Sequence, residues 1–346
     1  MTHLATIPDV VLTINEATAL LARIGQQSNK RSELMLYKRL GRWHAITSQI
    51  LISRTSAICA ALERHKIGKG ELVLSGKIRP EWLIVHLAAT AGGIAPAVFS
   101  QPANFCGVDG AFRVAAIDGE QNLAEIVGGP ARGLMKTLEA AVLLDPAEVA
   151  AANWTGVLTL AELENEGRVP ASFEQVRSES AWSVGRGSEQ LVFITEGPAD
   201  SRQCSACYDA LASGQCLVFG EGPDTVLQDL QQSQPQVIVD GDGYVLRALS
   251  EVVSRASRAR GLRGLAVRAL FSSDRFRLGR VVVDLLVGRP LRRQLGLSRC
   301  QRFIVDGVLV GGDQGSIMAA ICPPTSNAEE ARAMGSTGTT TFGADR

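Results

Sequence analysis

Short runs of β-forming apolar residues alternate with helical patterns along most of this chain, and that alternation leaves few architectures open. Leu72-Val-Leu74 precedes a helical pattern over Pro80–Gly92, which runs into a strand at Ile94–Phe99. Phe112–Ile117 precedes a short helix at Glu120–Val127, and Ala140–Leu144 is a further strand. After a polar interval come Gln190–Thr195, Gln215–Phe219, a helix at Thr225–Gln232, and Gln236–Asp240. Strands separated by helices need crossover connections, so the expected sheets are mainly parallel and covered on both faces. The fold class is therefore α/β.

Two packed α/β subdomains are expected. The Ser-, Glu- and Gly-rich stretch Asn165–Glu189 marks their boundary, giving a first subdomain over residues 1–170 and a second over 186–335. Residues 336–346 are small, polar and rich in Gly and Thr, which predicts a frayed tail. No internal repeat at a fixed period is present.

Trp82–Phe99 contains no Asp, Glu, Lys or Arg and nearly reaches the length of a membrane span. Gly92, Gly93 and Pro96 interrupt it, so a buried helix entering a buried strand accounts for it better. The start, MTHLATIPDV, has no basic stretch followed by an apolar run, and no signal peptide is read there. Seven cysteines, an odd count, fit a reducing cytoplasm rather than a disulfide framework. With 35 basic and 35 acidic side chains, the chain lacks the broad basic field of a nucleic-acid-binding protein.

That neutrality hides an asymmetry. Arg247–Arg302 holds fourteen arginines and no lysine, against Glu251, Asp274 and Asp284. The segment is expected to be mostly helical up to about Arg293, with its arginines in solvent and their stems over apolar surface. The alternative is a surface for anionic lipid head groups or an acidic partner.

Several longer matches carry a family resemblance. Gly68-Lys-Gly-Glu-Leu-Val-Leu-Ser-Gly-Lys-Ile-Arg-Pro-Glu-Trp82 resembles the early signature of bacterial long-chain acyl-CoA synthetases, members of the adenylate-forming superfamily. There a helix ends at a glycine turn, a buried strand follows, and Arg-Pro-Glu-Trp opens the next helix, with Pro80 suited to a first helical turn. Ala88–Val98 resembles the family's helix–strand crossing, and Leu34–Thr47, with Gly41 and Trp43, its opening hairpin. Phe219–Leu230 and Gln234-Pro-Gln-Val237 resemble a later strand–helix–strand. Arg289–Leu297 and Cys300–Val305 resemble the helix and strand before the family's GGAPL motif. The resemblance covers roughly residues 6–310 and implies the amino-terminal fold of adenylate-forming enzymes, with ATP, magnesium and coenzyme A as the family's cofactors.

Against that pattern the chemistry-bearing motifs are degraded. Activating a carboxylate with ATP needs a phosphate cradle, a cation for the developing charge and a metal-holding acid. The family's cradle is a Gly/Ser/Thr-rich loop ending in a lysine. In its place stands Leu191–Cys204, where Thr195 and Gly197 match. Glu196 and Asp200 bring negative charge, Pro198 removes a backbone donor, and Gln203 replaces the lysine, with Arg202 beside it. Two carboxylates facing a polyphosphate cost more than one arginine recovers.

Only Cys204–Cys216 spans the region where the family has a long helix and an acyl-pocket segment. Asp306–Leu309 resembles a degraded GGAPL. Met334-Gly335-Ser336-Thr337-Gly338 stands for the family's Y-G-x-T-E, so Gly335 and Thr337 are relics and the metal-binding acid has become Gly338. The hinge and carboxy-terminal lid with its lysine have no counterpart up to Arg346.

Other constellations are read as structural. Cys204-x-x-Cys207 with Cys216 lacks a fourth ligand for zinc, so buried thiols are expected. Asp240-Gly-Asp-Gly243 reads as an exposed strand-to-helix turn, His65 as a surface residue and His86 as a core residue.

The expectation is an AMP-dependent long-chain fatty-acid–CoA ligase-like protein that is catalytically inactive and scaffolds or regulates a partner, such as a complete synthetase. No catalytic residue, metal ligand or bound cofactor is expected, and Thr195, Gly197 and Arg202 are relics of the phosphate loop. The alternatives are a divergent ligase completed by another chain and a decaying gene product.

Overall fold

The computed structural model describes residues 12–27, 33–99, 112–118, 138–144, 157–167, 190–195, 201–241, 243–258 and 288–305. The expected helix at Glu120–Val127 lies outside them, as do Gly197, Asp306–Leu309, Gly335, Thr337 and Gly338.

Two sheets form. The five-stranded one has the order β4-β3-β5-β6-β7, where β3 is Leu72–Ser75, β4 Ala97–Phe99, β5 Val114–Ile117, β6 Ala140–Leu143 and β7 Val157–Thr159. All its pairings are parallel. The six-stranded one has the order β11-β10-β8-β9-β1-β2, with β1 at Glu33–Arg39, β2 at Arg42–Thr47, β8 at Leu191–Ile194, β9 at Cys216–Phe219, β10 at Val237–Asp240 and β11 at Arg302–Val305. It is parallel except for the β1–β2 hairpin. The expected mainly parallel α/β architecture is therefore the architecture found.

The strands begin and end close to where their apolar runs do, with two instructive differences. β4 starts at Ala97 rather than Ile94, because Pro96 has no N–H to give to a ladder. β5 starts at Val114 rather than Phe112. The sheets also do not sort by the two halves of the chain. The hairpin at Glu33–Thr47 belongs to the sheet otherwise built from strands after residue 190, through Met35, Leu36 and Tyr37 alongside Leu217, Val218 and Phe219. Leu40 and Gly41, with φ of 49° and 75°, make the tight turn whose twist suits such a hairpin.

Helices cover both sheets. α1 (Ile14–Gln27) opens on a reciprocal cap, since Thr13 donates from N and Oγ1 to the Glu16 carboxylate while Glu16 N donates to Thr13 Oγ1. α2 (Ser48–Arg64) is capped by Thr47, which accepts from Ile50 N. α3 (Pro80–Ala91) starts on a proline and is buried from Trp82 through Thr90. That burial on every side explains the uncharged stretch at Trp82–Phe99 without a bilayer. Among the described residues no helix is long and apolar enough to cross a membrane. α4 is Leu160–Gly167, α5 Ser201–Ala212, α6 Val226–Ser233, α7 Tyr244–Arg258 and α8 Arg289–Gln294.

Alternation along the strands of the six-stranded sheet divides the core in two. Met35, Val192, Ile194, Leu217, Phe219 and Val239 face one side, where α1, α2, α3 and α5 join both sheets in a common apolar cluster. Leu36, Phe193, Val218 and Ile238 face the other side, beneath α6, α7 and α8. A period-two pattern of this kind is what buries both faces of a parallel sheet.

The arginine-rich segment is helical at α7 and α8, and residues 259–287 lie outside the described residues. One arginine departs from the solvated expectation: Arg292 is buried. It sits on the stripe of α8 that continues to Leu295 and the core, so its stem packs inward.

Candidate functional site

In parallel α/β sheets, ligands approach the carboxyl ends of the strands. At that edge of the six-stranded sheet the ends of β8 and β10 lie side by side, and the chain leaves β8 toward α5. This is where the sequence resemblance places the phosphate loop.

Thr195, directly after β8, is fully buried. Its N–H donates to Val239 O at 3.0 Å and its Oγ1 donates to the same carbonyl at 3.3 Å. Oγ1 in turn accepts from Gly241 N at 3.1 Å. The threonine thus ties the end of β8 to the turn after β10. Arg202 lies in the first turn of α5. Its neighbour Gln203 is 0% exposed, and its amide lies against Gly241: a Cβ built there would stand 1.8 Å from Gln203 Nε2. Residues 196–200, with Gly197, are outside the described residues.

Asp240 ends β10, where the sequence predicts an exposed turn. The turn exists, but Asp240 is fully buried. Its carboxylate accepts from Leu246 N at 2.9 Å and from Val245 N at 3.4 Å, filling the open donors of the first turn of α7. Burial raises its pKa above the ordinary aspartate value, and these backbone bonds and the charge of Arg247 oppose the rise. The signal was present in the sequence: an acid closing an apolar strand, then glycines, then an amphipathic helix.

The described residues at this edge satisfy one another. The Thr195 hydroxyl and the Gly241 N–H are joined, Asp240 is committed to α7, and Gln203 is turned inward. A nucleotide phosphate needs outward N–H donors and a cation, which the side chains of Thr195, Gln203 and Asp240 do not supply.

Two strands beyond β8 in the sheet, Lys38 of β1 and Asp229 of α6 form a buried ion pair at 2.7 Å. Asp229 also accepts from Glu221 N and from Thr225 Oγ1. The only lysine at these strand ends among the described residues is therefore engaged internally.

Between the sheets, α3 and α5 meet in a buried aromatic stack. His86 lies between Trp82 and Tyr208, with centroids 5.1 and 5.6 Å away, and its Nδ1 is 2.6 Å from the Tyr208 hydroxyl. Burial lowers the His86 pKa from 6.5 to about 4. His86 is the core residue expected, and His65, beside Glu166 at the surface, is the exposed one. Cys204, Cys207 and Cys216 are buried free thiols. Cys204 and Cys207 face the cluster shared by both sheets, whereas Cys216 faces the other side of its sheet, so the three do not converge. Among the described residues no three His, Cys, Asp or Glu side chains are grouped to hold a metal ion.

No protein-family model and no curated protein matches the chain. Solved structures do. The adenylation domain of the carboxylate reductase of Mycobacterium chelonae aligns with a TM-score of 0.61 at 11% identity, over 92% of this chain and 57% of that one. The A-PCP didomain of the carboxylic acid reductase of Segniliparus rugosus, in complex with AMP, aligns at 0.60 and 13%, over 92% and 53%. Acetoacetyl-CoA synthetase of Streptomyces lividans aligns at 0.57 and 14%, over 88% and 49%. The chain spans about half the length of these structures. At such identities the likeness concerns the fold, which is that of the amino-terminal domain of adenylate-forming enzymes.

Proposed function

We propose that this protein is an acyl-CoA-ligase-like pseudoenzyme, which keeps the adenylate-forming fold, has lost carboxylate activation, and scaffolds or regulates a partner such as a complete synthetase. Gln203 carries this reading. By resemblance it holds the place of the phosphate-loop lysine, and it is neutral, wholly buried and turned onto Gly241. A lysine in a working cradle reaches outward to developing charge on the phosphates, and a buried amide cannot take that role. The sequence adds Glu196 and Asp200 to the same loop, which repel phosphate, and Pro198, which removes a donor. The long-chain fatty acid class rests on the sequence resemblance, and a cytoplasmic site of action on the scattered cysteines.

The test is pyrophosphate exchange by the purified protein with ATP, magnesium and a panel of fatty acids, beside a complete synthetase. Loss of one preorganised charge partner commonly lowers a rate about a hundred- to a thousandfold, so exchange should not exceed background. Fatty-acid-dependent exchange would overturn the reading in favour of a divergent ligase, and its disappearance in Arg202→Ala would assign the cation to Arg202.

A further inference from the structure

The outer helical layer of the six-stranded sheet carries an excess of exposed positive charge. In α7, Val245, Leu249 and Val253 enter the apolar cluster below the helix. Arg247, Arg255 and Arg258 are exposed on the opposite side. With about 3.6 residues per turn, their spacing puts all three in one outward stripe. Glu251 shares the stripe and pairs with Arg255, a solvated contact of little net strength. α8 lies over the same apolar cluster through Leu291 and exposes Arg289 and Arg293. α6 completes the layer and exposes the neutral Gln228 and Gln231. These helices present five exposed arginines against the single acid Glu251.

We propose that this face docks on the surface of an anionic phospholipid bilayer, by head-group contact without insertion. Guanidinium groups pair with phosphate oxygens in a planar fork, and no lysine occurs in the whole of Arg247–Arg302. Insertion through α7 is ruled out by the packing, because its apolar side is already committed to the core. Single-stranded nucleic acid fits the face less well, since it wants aromatic platforms for its bases. Among the described residues the exposed large apolar side chains are Ile14 and Leu40, neither aromatic nor part of this layer. The inference does not depend on whether the protein activates a carboxylate.

Co-sedimentation of the full chain with vesicles tests it. Binding is expected to phosphatidylserine-containing vesicles at low salt, with release at high salt and none to phosphatidylcholine alone. Near an anionic surface each arginine contributes about fivefold to partitioning, so Arg255→Gln/Arg258→Gln should lower it on the order of twenty-fivefold. Lys66→Gln/Lys69→Gln, exposed cations beside the five-stranded sheet, should leave it unchanged, with circular dichroism showing both variants folded. Equal binding to both vesicle types, an equal loss in both variants, or tighter binding to single-stranded RNA would each overturn the proposal.

Discussion

Lys38 and Asp229, 191 residues apart, meet through a 2.7 Å contact with side chains 2% and 0% exposed. The pair fastens the amino-terminal hairpin to a helix of the second half of the chain. Asp229 is fully satisfied there, with the Glu221 N–H and the Thr225 hydroxyl as further donors. Removing Lys38 alone strands a buried carboxylate, which costs about 3–5 kcal/mol. Lys38→Met should lower the urea midpoint accordingly, and a midpoint within error of the parent would refute the role given to this pair.

His86 predicts an acid-sensitive seam. Its folded pKa, about 4, lies below its unfolded value of 6.5. The unfolded chain therefore binds the extra proton first, and stability present above pH 6.5 is lost as the pH falls toward 4, by up to about 3 kcal/mol. His86→Leu forgoes the bond to Tyr208 and should be weaker at neutral pH, yet lose less on acidification. Urea unfolding at pH 7 and pH 5 measures this, and an unchanged pH slope in the variant would contradict it.

Asp240 behaves with the opposite sign. Its folded pKa is raised by burial, so the ionised form is penalised above the ordinary carboxylate range and the penalty fades as the pH falls. Asp240→Ala removes the acceptor for α7 and should cost about 1–2 kcal/mol. Asp240→Asn keeps an acceptor oxygen, and its stability relative to the parent should be better at pH 7 than at pH 4. A constant difference across that range would rule out the ionised, buried carboxylate.

Gly241 is the place where the turn after β10 has no room for a side chain. A Cβ there meets the buried Gln203 amide at 1.8 Å, so Gly241→Ala should cost about 1–3 kcal/mol. Adding Gln203→Ala removes the obstacle, and the double variant should be more stable than the two single losses summed. Strict additivity in thermal unfolding would show that the two residues do not touch.

Much of the layering was legible because it depends on local pattern. The runs at Leu72–Leu74 and Val237–Val239 are apolar without interruption, as two-sided burial demands, and each lies in a strand buried throughout. Pro80 announced the start of α3 and Gly92 its end. The candidate site was legible only as a set of departures from a motif. Thr195 closes the apolar run of β8, whereas nothing local to Gln203 shows that its amide turns inward.

By itself, then, the sequence determined the element types and the parallel sheets, since periodicity and turn residues act over a few neighbours. Tertiary structure alone decided which sheet receives the hairpin at Glu33–Thr47 and which lysine meets Asp229. It also decided that Arg292 turns inward while Arg289 and Arg293 stay in solvent. Those outcomes depend on which distant surfaces come together to bury apolar area, and on which charges are then left without water and must find each other.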